Sequence, residues 1–532
     1  MKSINFFLAF ALVTIALLAD AQPPSILWQK SFGGSGGESG SILQVSSKGD
    51  YFVLGSTNSI DGDVTSNHSN NLDIWVLKLD SFGNLLWQKC YGGTNADKGQ
   101  SLLPTIDGGF IMVGTTGSND GDVNGSGYHS AAGAADYWVV KCDSGGTIQW
   151  KKCYGGSSDD VPGEMIRSLD GGYIVTGSTI STDFDVTGLH DSLCSTCSDV
   201  WITKLDSSGT MQWAKCFGGS SSDVGISIVA LRDSGYVILG KTYSNDGDVS
   251  GNHSGDVDYW VFKIDKSGSL QWQKCLGGFQ EEGAGYSGEI ITTNDNGYLF
   301  IGNTISNDGD VSGLHGAQID AWLVKLDSIG SIQWQKCLGG TESDIGISVF
   351  QLTDNSYLSL CTASSIDGDI TNNHSFVNDI WLVHLDQIGN IIWQQCYGGT
   401  SFDDAGGFCL SNNVDLIFTG DAASNDGDVS GNHGDYDVWV VKLSPLNSGI
   451  RSLNALTDLS LSPNPSKGIF TISNTGKGNK IISVFDVTGV KLFSVAAANE
   501  NATINATDLK QGIYFVRVEN ENGSDVRKLV VE

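Results

Sequence analysis

Seven copies of one acidic loop carry most of the residues in this chain that could do chemistry. In six of them two carboxylates flank a glycine: Asp61 and Asp63, Asp120 and Asp122, Asp246 and Asp248, Asp308 and Asp310, Asp367 and Asp369, Asp426 and Asp428. The third copy has Asp183 and Asp185 around Phe184. A histidine follows in every copy, at His68, His129, His190, His253, His315, His374 and His433. Each copy then places an aspartate two residues before a tryptophan, from Asp73 to Asp437. A further acid stands four residues after each Gly-Gly pair, at Glu38, Asp97, Asp160, Asp223, Glu282, Asp344 and Asp403.

Two roles fit these residues. Calcium takes six to eight oxygens, and paired carboxylates on a glycine-bent loop supply several. The Asp-Gly-Asp aspartates are therefore candidate ligands, and Ca2+ is the cofactor the sequence admits. Equally, Asp and Gly hold turns, while the histidine and the pre-tryptophan aspartate tie the loop backbone to a neighbouring unit. No Asp-x-Asp-x-Asp-Gly loop with a distal glutamate occurs. Repetition in all seven copies favours the turn-holding role, since a ligand site needs only some of them. One histidine per loop is too few for zinc. No Ser-His-Asp or Cys-His arrangement stands outside the repeats. A carboxylate pair for glycoside hydrolysis could stand among so many acids, but a catalytic residue should be unique in a repeating array.

The elements that position the acids are written in tryptophan. A W-x-K-C-Y-G-G-like segment starts at Trp28, Trp87, Trp150, Trp213, Trp272, Trp334 and Trp393. A D-x-W-V-x-K-L-D-like segment centres on Trp75, Trp138, Trp201, Trp260, Trp322, Trp381 and Trp439. Those sets use all 14 tryptophans and divide residues 26–444 into seven units. Each unit holds four strand-like runs; in the second they are Leu85–Tyr91, Gln100–Ile106, Phe110–Thr115 and Tyr137–Cys142. Tight turns such as Asp107-Gly108-Gly109 separate them. Four antiparallel strands repeated seven times predict a propeller rather than a capped solenoid. If each W-x-K strand pairs with the D-x-W strand before it, the last unit lacks its outer strand and the one around Trp28 is left over. The two are expected to pair, which places Trp28 beside residues 438–443 and removes the open sheet edges. The crossing after Gly-Gly and the long acidic loop then share one face.

The net charge of −31 repels a phosphate backbone, so nucleic acid is not an expected partner. Lys2, the apolar run Ile4 to Leu18 and Ala19-Asp20-Ala21 read as a secretory signal over residues 1–21. No second run is long and apolar enough to cross a membrane in the mature chain. Cys90, Cys153, Cys216, Cys275, Cys337 and Cys396 repeat at one strand position and read as small half-buried residues. Cys194 and Cys197 sit in a loop insertion and can close a local disulfide. The lysine of the second tryptophan strand (Lys78, Lys141, Lys204, Lys263, Lys325, Lys442, with His384 in the sixth unit) reads as a partner for repeated acids.

The units resemble the bacterial SBBP propeller repeat, best in the third: Gly155-Gly156, Asp170-Gly-Gly-Tyr173, Gly177-Ser-Thr179, Ser181-Thr-Asp-Phe184 and Lys204-Leu-Asp206. Most units depart from it by carrying Asp-Gly-Asp where the pattern has Thr-Asp-Phe. After Ser444 the repeat ends, and residues 445–458 read as a linker. The remainder, 459–532, resembles the type A sorting domain of the type IX secretion system. Its matching residues include Pro463, Asn464, Pro465, Gly468, Asp486, Gly489, Gly512, Tyr514 and Lys528. That resemblance implies a small β-sandwich recognised by the secretion machinery.

The expectation is an all-β chain: signal peptide 1–21, seven-bladed β-propeller 22–444, linker 445–458, and a small C-terminal β-sandwich. The protein is expected at the outer cell surface or outside the cell. Its propeller is expected to present its loop face to a glycan or protein ligand as a binding or adhesion module. An enzyme acting on polysaccharide or peptide, or a structural surface-coat component, are the alternatives. The irregular segments 125–135, 194–197 and 279–286 are where a singular site would be sought.

Overall fold

The computed structural model describes residues 22–446 apart from 130–132, 191–193, 195, 254, 255, 284–287 and 412–414. Beyond them it describes 460–532 apart from 474–479, 486–490, 498–500, 508, 521 and 522. The signal segment, most of the linker, Asp486 and Gly489 lie outside the described residues.

The described residues are all-β, with one short 3-10 turn at Gly121–Val123. Contacts divide them into two compact units, Pro23–Leu446 and a second that includes Asn447–Glu532. The larger unit holds seven four-stranded antiparallel sheets. The first sheet runs Glu38–Val45, Tyr51–Thr57, Asp73–Leu79 and Leu85–Tyr91, hydrogen-bonded in that order. The next five repeat this order. The seventh has Asp403–Ser411, Asp415–Ala422 and Asp437–Leu443, and its fourth strand is the N-terminal Ile26–Phe32.

That pairing is the one expected for Trp28. Trp28 lies opposite Lys442 and Ser31 opposite Trp439, the register in which Trp87 meets Lys78 and Cys90 meets Trp75. The polar chemistry repeats as well. The indole N–H of Trp75, Trp260, Trp322 and Trp381 donates to a glutamine of the neighbouring strand at 2.7–3.0 Å. Trp439 donates to Gln29, across the whole length of the repeat region, at 2.8 Å. Where that glutamine is replaced by Lys151 and Ala214, the indoles of Trp138 and Trp201 have no acceptor.

Each sheet packs on the next, and the seventh packs on the first, so the succession of contacts returns to its start. The core consists of apolar layers between neighbouring sheets: Phe52, Leu54 and Val76 of the first meet Phe110, Met112 and Trp138 of the second. The seven D-x-W tryptophans are fully buried. The W-x-K tryptophans do a second job, covering the glycine of the next sheet's last turn. A Cβ at Gly209 would stand 2.6 Å from the Trp150 ring, which explains why that turn ends in glycine.

The first strand of the second sheet is Asp97–Pro104, earlier at both ends than the sequence pattern suggests. Asp97 enters the ladder because its N–H bonds the carbonyl of Leu72 in the preceding unit, and Thr105 leaves it to hold the Asp107 turn. The smaller unit has a three-stranded and a four-stranded sheet that share one core, with Phe470 and Ile504 from the former and Ile482, Val516 and Leu529 from the latter.

Candidate functional site

The repeated acids meet at the joints between sheets, on the face where the crossing segment and the long loop lie side by side. The first joint shows the plan. Asp97, fully buried, accepts the N–H of Gly93 at 2.8 Å, the Ser118 hydroxyl at 2.9 Å and the Thr116 hydroxyl. Asp120, the first carboxylate of the Asp-Gly-Asp, accepts both the N–H and the hydroxyl of Thr94, at 2.8 and 2.9 Å. Asp73, the pre-tryptophan aspartate, accepts the His68 N–H at 3.0 Å, and its Oδ2 lies 2.6 Å from His68 Nδ1. The far ring nitrogen of His68 stands 3.6 Å from Asp122, the second carboxylate of the next unit's loop.

The result is an Asp–His–Asp clasp that spans two sheets. His129–Asp185, His190–Asp248, His253–Asp310 and His315–Asp369 repeat the span at 3.4–3.9 Å. His433 feels Asp63 electrostatically, which carries the pattern across the joint between last and first sheets.

Glycine is required where this clasp is tightest. Gly121 has φ +53°, and a Cβ there would lie 2.5 Å from the Gly92 carbonyl oxygen. Two carboxylates also converge on Gly92 itself, where a Cβ would stand 2.5 Å from Asp97 Oδ2 and 2.7 Å from Asp73 Oδ1. Burial sets the protonation. It pushes Asp97 up to about 6 and Asp160 and Glu282 up to about 7, against the hydrogen bonds that favour their ionised forms. Burial alone would lower the His68 imidazole, yet Asp73 and Asp122 hold it above the ordinary histidine value.

The twelve Asp-Gly-Asp carboxylates therefore fall into two ranks. The first of each pair fastens the crossing backbone: Asp61 to Ser35, Asp246 to Ser220, Asp308 to Phe279, Asp367 to Thr341 and Asp426 to Thr400, at 2.7–2.8 Å. The second of each pair faces the histidine of the preceding unit, as Asp122, Asp248, Asp310 and Asp369 do within salt-bridge distance. His374 stands close enough to Asp428 to favour its ionised form, and Asp63 close enough to His433 to raise that imidazole. Among the described residues no group of three or more His, Cys, Asp or Glu is arranged to hold a metal ion.

The repeated lysines work elsewhere. They pair with the aspartate of the turn between the first two strands, as in Lys141–Asp107 and Lys204–Asp170, at 2.9 and 2.8 Å. In the sixth unit His384 reaches the Ser356 hydroxyl instead, at 2.9 Å. Cys194 and Cys197 form a disulfide, and Cys90, Cys153, Cys216, Cys275, Cys337 and Cys396 are free thiols.

A second site escaped the sequence pattern. The first strands of all seven sheets line a central cavity of about 450 Å³. Three acids that do not repeat stand in its wall: Glu164, Glu289 and Asp421. Glu164 and Glu289 occupy the strand position that is Ser101, Ser227 and Ser348 in other units. Alignment on the Gly-Gly pairs places Glu164 there but hides Glu289, because extra residues separate it from Glu282. None of the described residues of the irregular segments singled out from sequence lines this cavity.

In the smaller unit the Asn464 side chain donates to the Lys528 carbonyl at 2.6 Å and accepts the Val530 N–H at 2.9 Å, tying the Pro463–Pro465 turn to the last strand. Gly468 has φ +96°, and a Cβ there would meet Thr507 at 2.7 Å. Gly512 opens a strand, and the Tyr514 hydroxyl donates to the Lys510 carbonyl at 2.7 Å.

Comparison with known proteins places these contacts. A protein of unknown function from Dyadobacter fermentans covers 79% of this chain and 99% of its own at 11% identity and TM-score 0.40. YCF48 bound to D1 peptide covers 81% and 99% at 8% identity and TM-score 0.41. The regulatory protein FlaEY of Caulobacter vibrioides is 26% identical over 144 residues, which are 26% of this chain and 15% of the length of that relative. Residues 460–532 match the family described as secretion system C-terminal sorting domain. The chain thus carries the sorting domain of the type IX secretion system at its C-terminus, and the protein is one delivered to the cell surface or beyond.

Proposed function

We propose that residues 22–444 form a closed seven-bladed β-propeller that works as a secreted binding or adhesion module. On this reading residues 1–21 are its signal peptide, 445–458 a linker, and 459–532 a β-sandwich that engages the secretion machinery. One observation carries the binding role. The clasped loops hold exposed aromatic side chains on the face they share: Phe184, Tyr243, Phe279, Phe376 and Phe402. Exposed rings on loops fixed by a rigid scaffold suit stacking against a sugar or a partner side chain. Phe184 is itself braced, its ring centroid 4.9 Å from that of His129.

The test is a glycan array probed with the protein in the presence and absence of calcium. The expected result is retention of a subset of glycans, weakened about tenfold by Phe184→Ala with Phe279→Ala. Equal binding by the double variant contradicts the aromatic rim. Calcium, if the Asp-Gly-Asp loops hold it, raises the melting temperature with the logarithm of its concentration; an unchanged melting temperature leaves those loops to the hydrogen bonds described above.

A further inference from the structure

The central cavity has an electrostatic imbalance among its described residues. Glu164, Glu289 and Asp421 line it, and none of the described lining residues is Lys, Arg or His. Glu164 uses one oxygen, Oε2, to accept the Ser227 hydroxyl at 2.7 Å and the Ile228 N–H at 2.9 Å. Glu289 does the same with the Ser348 hydroxyl and the Val349 N–H, the latter at 2.9 Å. In both cases the donors belong to the next sheet along. Ser227 closes the arc by accepting the Ile290 N–H at 3.1 Å. The two glutamates are thus held in fixed positions, each with a second oxygen that has no described protein partner.

Burial, with Glu289 nearby, pushes Glu164 up to about 7, and burial raises Glu289 as well. Both side chains are half-buried, and a carboxylate withdrawn from water is costly to ionise unless a cation accompanies it. The rest of the wall mixes apolar side chains, Leu43, Leu102, Met165 and Phe408 among them, with uncharged polar ones such as Gln44, Gln100 and Ser101. A volume near 450 Å³ is in the range of small organic ligands and far larger than a bare ion needs. The acids are also spread around the wall rather than gathered as a metal-holding group.

We propose that this cavity binds an organic cation: a primary ammonium group on an aliphatic stem, with Glu164 and Glu289 as its counter-charges. A free alkyl diamine and a lysine side chain share that chemistry. The inference stands on the cavity itself and is independent of ligand binding at the loop face.

Calorimetric titration of the full chain separates the cases. Cadaverine represents the free diamine, N-acetyl-lysine amide the side chain, pentanediol the uncharged isostere, and calcium chloride the bare ion. Saturable binding of cadaverine or of N-acetyl-lysine amide is expected, with pentanediol at least about tenfold weaker and no competition from calcium. The double variant Glu164→Gln, Glu289→Gln keeps the size of both side chains and one acceptor oxygen on each for the serine and backbone donors. It is expected to lose about tenfold or more in affinity at an unchanged melting temperature, while the exposed control Glu342→Gln binds as the parent does. Binding of neither amine, equal binding of pentanediol, or full affinity in a folded double variant overturns the proposal.

Discussion

Gly247→Val is expected to cost the protein about 3–5 kcal/mol. Gly247 sits between the two aspartates of the fourth loop with φ +63°. A Cβ there would lie 2.5 Å from the Gly218 carbonyl oxygen and 2.9 Å from the Gly219 Cα. Both are backbone atoms of the crossing segment, so neither can swing aside as the end of a side chain could. To make room the crossing must move away from the loop. That movement breaks the Asp248 N–H bond to the Gly218 carbonyl, the Asp246 bond to Ser220, and the Asp248 contact with His190. The strain of a branched residue at positive φ adds to this. Gly251 supplies the control. It has φ +94° but nothing within 4 Å of a Cβ, so Gly251→Ala is expected to cost about 1 kcal/mol from backbone strain alone. Denaturant unfolding of the two variants measures the difference, and equal costs would show that the loop does not press on the crossing.

The second large effect is on acidity. Six crossing acids (Asp97, Asp160, Asp223, Glu282, Asp344 and Asp403) are pushed by burial up to about 6 or 7. In the unfolded chain they return to near 4. Between those values the folded protein holds protons that the unfolded chain has released, so their contribution is complete below about pH 4 and is lost as pH rises through 6 to 7. His68, His190, His253, His315 and His433, raised by their aspartates, act in the same sense, losing their contribution as pH passes above the ordinary imidazole value. The turn aspartates Asp170 and Asp295, held low at about 2, act in the opposite sense and lose theirs as pH falls through that value. The melting temperature is therefore expected to peak near pH 4 and to fall by on the order of 5–10 °C by pH 8. Asp97→Asn with Asp160→Asn should flatten the decline. A melting temperature that climbs steadily from pH 5 to 8 would mean that these acids are ionised and satisfied at the joints.

The positions of these groups were legible in the sequence, and their partners were not. Tryptophan spacing marks the strands, and the outer strand missing after Trp439 points to the N-terminal segment. The histidine five residues before Asp73 is a local partner that spacing suggests. Asp122, on its other side, belongs to the next unit, and only the packing of one sheet on another brings it there. The Asp-Gly-Asp motif shows two acids on a bent loop, but not that one would face a crossing backbone and the other an imidazole. Glu164 and Glu289 were hidden for a different reason. A repeat is read by what recurs, and these residues matter because they replace a serine that recurs. Register counted from the tyrosines that open the second strand, such as Tyr236 and Tyr298, would have placed both glutamates at the serine position.

The account rests on the N-terminal strand completing the seventh sheet. Hydrogen–deuterium exchange of the intact protein reads this without a mutation. Amides of Ile26–Phe32 should be protected as strongly as those of Leu85–Tyr91, the equivalent strand of the first sheet. Exchange of 26–32 within seconds, while 85–91 stays protected, would show an unpaired tail and an open array.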